Sequence, residues 1–137
     1  MKKSVEIEIH STSDAQTVVQ KAAGEVYVKP DAVYLKYKEP SYDMGQTSTT
    51  LKIRPDTIKV IRHGDVQSEQ EFSLNKRVLG FYYLPQGRTG LETFTHSMLV
   101  QLDEGIGFVT WSYDLSMMGD AQGSYDLRVD IRDTSAG

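Results

Sequence analysis

Residues 77–115, RVLGFYYLPQGRTGLETFTHSMLVQLDEGIGFVTWSYDL, hold three apolar or alternating runs parted by Pro85-Gln86-Gly87 and by Asp103-Glu104-Gly105. Runs of this length broken by short turn signals are written as three antiparallel strands joined by two hairpins. The stretch therefore supplies the middle of one sheet, and the flanking sequence extends it in both directions.

Toward the N-terminus, Val5, Ile7 and Ile9 alternate with Glu6, Glu8 and His10, the period of a half-buried strand. The next stretch is ambiguous. Ser13-Asp14-Ala15-Gln16 fits a helix capping box and Gly24 suits a helix end, whereas Thr17-Val18-Val19 is β-branched and favours a strand. Residues 25–29 and 32–38 form further strand runs parted by Lys29-Pro30-Asp31, then a loop carries Tyr42 and Met44. Runs at 47–54, 57–63 and 66–72 follow, with Pro55-Asp56 and Gly64-Asp65 as breaks. Beyond the central stretch, a Gly-bearing loop at 116–123 leads to Tyr125, Leu127, Val129 and Ile131, alternating with Asp126, Arg128, Asp130 and Arg132.

Short strands at even spacing, without an amphipathic helix to cover a sheet, predict an all-β, antiparallel up-and-down barrel of about 8–10 strands. The 137 residues make a single barrel domain, 1–137, with 134–137 as a loose tail. The N-terminal basic residues are not followed by the apolar core of a signal peptide, and no apolar run is long enough for a membrane helix. The absence of cysteine excludes disulfides and thiol chemistry and agrees with a reducing, cytoplasmic location. A net charge of -4 offers no bulk attraction to nucleic acid or to anionic membranes.

Val26-Tyr27-Val28-Lys29, the run from Val33 to Glu39, Val60-Ile61-Arg62-His63-Gly64, Leu91-Glu92-Thr93-Phe94-Thr95 and Trp111-Ser112-Tyr113-Asp114-Leu115 resemble the bacterial YwiB-like family over most of the chain. The resemblance implies a calycin-like barrel, related in shape to lipocalins, and brings no activity and no catalytic residues with it. The chain is shorter than the family pattern between Ile9 and Val18, and the family has a strand where the ambiguous stretch falls.

No phosphate loop, dinucleotide fingerprint, zincin pair or nucleophile elbow is present, and His10, His63 and His96 stand apart in sequence. No catalytic residue, metal site or cofactor is assigned. Strand parity is more informative. Glu39 continues the face of Leu35 and Tyr37, Arg62 that of Ile58 and Val60, and Glu92 and His96 share a face with Phe94, Met98 and Val100. In a meander alternate strands finish at one rim, which gathers Tyr37, Glu39, Arg62, Tyr83, Glu92, His96 and Tyr113 as candidate ligand-binding residues. The loops carrying Tyr42 and Met44, and Met117 and Met118, would overhang the same rim as an adaptable lid.

Two function classes follow, with a third weighed lower. One is a barrel binding a small amphipathic or anionic ligand at its mouth, with the polar group at Arg62. The alternative is a filled, non-catalytic barrel serving as a structural or protein-interaction module, which leaves room for a homodimer. The third is an enzyme using Glu39, Glu92 or His96. The expected inner face comprises Val5, Ile7, Ile9, Leu35, Val60, Phe94, Val100, Val109, Trp111, Leu127 and Val129.

Overall fold

A computed structural model describes residues 2–134. Ten strands run in chain order: β1 Lys2–Ser13, β2 Gln16–Val28, β3 Val33–Lys38, β4 Thr47–Ile53, β5 Thr57–Gly64, β6 Gln67–Ser73, β7 Arg77–Leu84, β8 Gly87–Asp103, β9 Ile106–Met117 and β10 Asp120–Asp133. Each pairs antiparallel with its chain neighbours, and β1 pairs with β10 to close the barrel. The expected antiparallel barrel is found, with ten strands. The tail expected at 134–137 lies, beyond Thr134, outside the described residues.

The ambiguous stretch is strand. Asp14 and Ala15 both have positive φ, 51° and 62°, and join β1 to β2 as a two-residue hairpin whose twist suits antiparallel strands. Ser13 to Gln16 is thus a turn and not a helix cap, and what were read as two runs over 16–29 form one continuous β2. The Gly-bearing loop expected at 116–123 is likewise a tight hairpin at Met118-Gly119, followed by a bulge between Ala121 and Gly123.

Most apolar side chains point inward and, Glu39 and Arg62 apart, the charged ones point outward, the reverse of a barrel facing lipid. Val5, Ile7, Val26, Leu35, Leu51, Ile53, Ile58, Phe72, Val109, Trp111, Val129 and Ile131 form the core. Ile9, Met98, Val100 and Leu127 pack against it. Phe94 corrects the expected inner face. A bulge between Thr95 and Ser97 inserts one residue into β8, so Leu91, Thr93 and Thr95 face inward before it and Met98 and Val100 after it. Phe94 lies outside, edge-on to His96 with ring centroids 5.1 Å apart.

The strands are unequal. The half comprising β8, β9, β10, β1 and β2 has strands of 12 to 17 residues, whereas β3 to β7 have 6 to 8. The long half therefore overshoots the short one, and β2 meets β3 only between Gly24 and Val28. Gly107 makes close strand packing possible in the long half: with φ of 142°, a Cβ there would sit 2.0 Å from the Gln101 carbonyl oxygen.

Candidate functional site

At the rim where β3, β5 and β9 end, the barrel interior changes from apolar to polar. β3 continues past Tyr37 to Glu39, whose backbone N–H donates to the Thr47 carbonyl and so keeps the strand's inward parity for one more residue. β4 supplies Thr49, fully buried, which donates its hydroxyl to Glu39 Oε2. β5 supplies Arg62, directly opposite Thr49 in the ladder, with Nε 3.6 Å from Glu39 Oε2. The Glu39 side chain is only 6% exposed, so this ion pair and the Thr49 hydroxyl replace most of its hydration.

Beneath the pair, Tyr37, Arg62, Gln70, Phe72, Trp111 and Tyr113 help line an internal cavity of about 70 Å³. Phe72 packs its ring 4.5 Å from Tyr113 and 5.7 Å from Trp111, and Tyr113 stacks on Tyr125 at 5.4 Å. Among the described residues, Arg62 Nε, Trp111 Nε1, Ser68 Oγ and Thr95 Oγ1 are buried without a hydrogen-bond partner. Such atoms cost about 1–3 kcal/mol each when nothing satisfies them, and two of the four belong to residues lining this cavity.

Burial pushes the Tyr113 phenol up to about 12, with a further rise from Tyr125 and an opposing pull from Arg62. Burial and then the Glu39 charge raise Tyr37 as well, again opposed by Arg62. Below about pH 10 both phenols are neutral in folded and unfolded chains alike and pH has no leverage through them. Above it the unfolded chain ionises first, so the stability present below pH 10 is lost as pH climbs toward 12. For Tyr113 the loss should reach about 2–3 kcal/mol. Denaturant titrations at pH 9 and pH 11 check this, and a midpoint that does not fall would contradict the buried placement.

Four of the seven predicted site residues, Tyr37, Glu39, Arg62 and Tyr113, come together at this mouth. Three do not. Tyr83 points outward, its hydroxyl 3.5 Å from Glu69 on the outer face of β6. Glu92 and His96 lie outside the wall because the β8 bulge sets their stretch to the opposite parity from Met98 and Val100. Glu92 pairs with Arg77 at 2.9 Å and His96 Nε2 with Asp114 Oδ2 at 2.8 Å, in an outer groove of about 660 Å³. Hydrogen bonds from Ser124 and then His96 hold the Asp114 carboxyl below its ordinary value. Glu39 is thus on the opposite side of the barrel wall from Glu92 and His96, and these three do not assemble into one acid and base pair. Of the expected lid, Tyr42 and Met118 are 98% and 91% exposed and Met44 and Met117 half-buried, and none of the four lines the cavity. Among the described residues no group of three His, Asp or Glu side chains is placed to hold a metal, and no helix is long and apolar enough to cross a membrane.

Sequence reasoning did not pick out Thr49 or Gln70 for the site. Both are legible in parity, since Thr47, Thr49, Leu51 and Ile53 share one face of β4 and Ser68, Gln70 and Phe72 one face of β6.

The model of the family described as a domain of unknown function (DUF1934) matches residues 4–129. The uncharacterized β-barrel protein YwiB of Bacillus subtilis (strain 168) is 30% identical over 128 residues, which is 89% of this chain and 89% of that protein. The crystal structure of the ywiB protein from Bacillus subtilis superposes with a TM-score of 0.79 at 24% identity, covering 96% of this chain and 92% of that one, and supports the barrel fold. With the match spanning nearly the whole barrel, from Ser4 in β1 to the core residue Val129 in β10, the chain belongs to the DUF1934 family.

Proposed function

We propose that this protein is a non-enzymatic cytoplasmic binding protein whose barrel mouth takes the anionic or polar head of a small amphipathic molecule at Arg62. The observation that carries this reading is a buried donor without an acceptor, Trp111 Nε1, beside Arg62, whose Nε stands 3.6 Å from Glu39 Oε2, longer than a hydrogen bond, on residues that line one small cavity of mixed apolar and polar walls. Glu39 already neutralises the Arg62 charge at 3.6 Å, so what the mouth lacks is acceptors more than counter-charge. A carboxylate or another compact oxyanion supplies acceptors in a planar array suited to a guanidinium. The cavity of about 70 Å³ accommodates a head group of that size or about two waters, and the apolar body of a ligand would stay at the rim.

The cavity's size also supports the alternative, a filled barrel that works as an interaction module, because ligand cavities usually measure roughly 300–1,000 Å³. Native mass spectrometry of the freshly purified protein, with thermal-shift titration of formate, acetate, nitrate and phosphate, separates the two. Binding should appear as a co-purifying mass or a saturable shift that Arg62→Met abolishes. If no mass co-purifies and none of the four anions shifts the protein, the filled-barrel reading replaces the ligand reading.

A further inference from the structure

The mouth holds one guanidinium and one carboxylate before any ligand arrives. Arg62 Nε stands 3.6 Å from Glu39 Oε2 and the Glu39 side chain is 6% exposed, so the two charges cancel within the wall. A carboxylate taken up at Arg62 is therefore a second negative charge at a cation that already has a partner. Bound at the same guanidinium, it comes within about 6 Å of Glu39, the range in which like charges displace each other's protonation. The cavity offers nothing to offset the excess: Gln70, Trp111 and Tyr113 bring neutral donors, and no second cation lines it.

We propose that the mouth takes its ligand as a monocarboxylic acid, one carboxylate entering with one proton, and that Glu39 is the residue that carries the proton. The inference rests on the reading of Arg62 as the anchor of the ligand's head. The proton comes from solvent and stays on the Glu39 carboxyl, the Thr49 hydroxyl still donates to Oε2, and the guanidinium charge passes to the incoming carboxylate. The enclosed charge sums to zero before and after. Glu39 thereby selects for charge, since a divalent oxyanion would need two protons and finds one acceptor.

Among the described residues, the groups set against Glu39 leave no other place for that proton near neutral pH. β5 brings Arg62, β4 the Thr49 hydroxyl, and β3 the Tyr37 phenol, which burial and then the Glu39 charge push up. Across the cavity β9 and β10 bring Tyr113 stacked on Tyr125, β6 brings Gln70, and β1 brings only Ile9. Lys38 and His63, the chain neighbours of the pair, are exposed on the outward parity of β3 and β5.

The chain's one tryptophan supplies the readout, because Trp111 Nε1 is buried in the cavity without a partner. Its indole N–H resonance should move when acetate accepts from it. The complex holds one more proton than its separated parts, so acetate affinity should fall about tenfold per pH unit between pH 6 and pH 8, where acetate itself stays ionised. Glu39→Gln should bind acetate equally at both ends of that range, and more tightly than the wild type at pH 8. Histidines as a class titrate in this range, and a slope imposed by His63 would survive in Glu39→Gln. Sulfate should leave the resonance in place. Infrared difference spectra of the wild type give a second readout that does not depend on the variant folding: a protonated-carboxyl band should appear with acetate and stay put when the acetate is isotopically labelled. Equal acetate affinity at pH 6 and pH 8, a slope retained in Glu39→Gln, sulfate binding, or a band that follows the label overturns the proposal and leaves Arg62 as an anion anchor. A resonance that neither acetate nor formate moves at any pH overturns the ligand reading, and this inference with it.

Discussion

Phe72→Ala should lower the free energy of unfolding by about 3–5 kcal/mol, whereas Phe94→Ala should cost about 1 kcal/mol or less. The two residues are the same chemical group on adjacent parts of the same wall, and the wall separates them. Phe72 is almost fully buried where β6 faces β9, touching the rings of Trp111 and Tyr113, so truncation opens a cavity beside one that already exists. Phe94 lies outside, with His96 against its edge and the Arg77 guanidinium 5.7 Å from its centroid, contacts that water replaces at little cost. Urea denaturation of the two variants checks the contrast. Equal losses would mean that the β8 register is inverted.

Arg62→Met should destabilise the fold by about 2–3 kcal/mol, and adding Glu39→Gln should recover most of that loss. At 3.6 Å and an effective dielectric of about 20 the attraction between the charges is roughly 4–5 kcal/mol, of which desolvation of both groups cancels a large part. Removing the guanidinium leaves a carboxylate that is almost wholly enclosed and keeps only the neutral Thr49 and Tyr37 hydroxyls as donors. Methionine preserves much of the arginine volume, so the loss reports the stranded charge more than a hole. Glutamine at position 39 still accepts from Thr49 and needs no cation. A double-mutant cycle by urea denaturation measures the coupling, and strictly additive losses would show that the pair contributes nothing together.

The barrel was legible because alternation in β1, β5, β9 and β10 is clean, and because Pro30, Pro55 and Gly64 fall at strand boundaries. Part of the mouth was legible for the same reason: Glu39, Arg62 and Tyr113 extend runs whose parity never breaks. Glu92, His96 and Phe94 were misplaced by one inserted residue, since parity counted through a bulge changes sign and nothing in Thr95-His96-Ser97 announces it. Tyr83 was misplaced because β7 carries Phe81, Tyr82 and Tyr83 in succession, and three aromatics in a row give parity no purchase. The first hairpin was obscured by Asp14-Ala15. Alanine with φ of 62° is an uncommon choice for a turn that usually takes glycine. The stagger between long and short strands was not legible at all, because strand length says nothing of where a neighbour ends.

Closure of the barrel by β1 and β10 has a consequence for how the chain acquires its structure. Val5 pairs with Asp133 and Ile9 with Val129, so the seam joins residues separated by almost the whole sequence. Every other pairing links consecutive strands and can form as a hairpin while the chain is being made. The seam cannot, because β10 is synthesised after the nine other strands. Until β10 is released, β1 and β9 each present an unpaired ladder, and the apolar row Val5, Ile7 and Ile9 has no facing strand on one side. Folding of this topology is consequently slow relative to a helical domain of equal length, and the interval before release is when the nascent chain most needs a chaperone. Removal of residues 126–133, the part of β10 that pairs with β1, would leave that open state permanent.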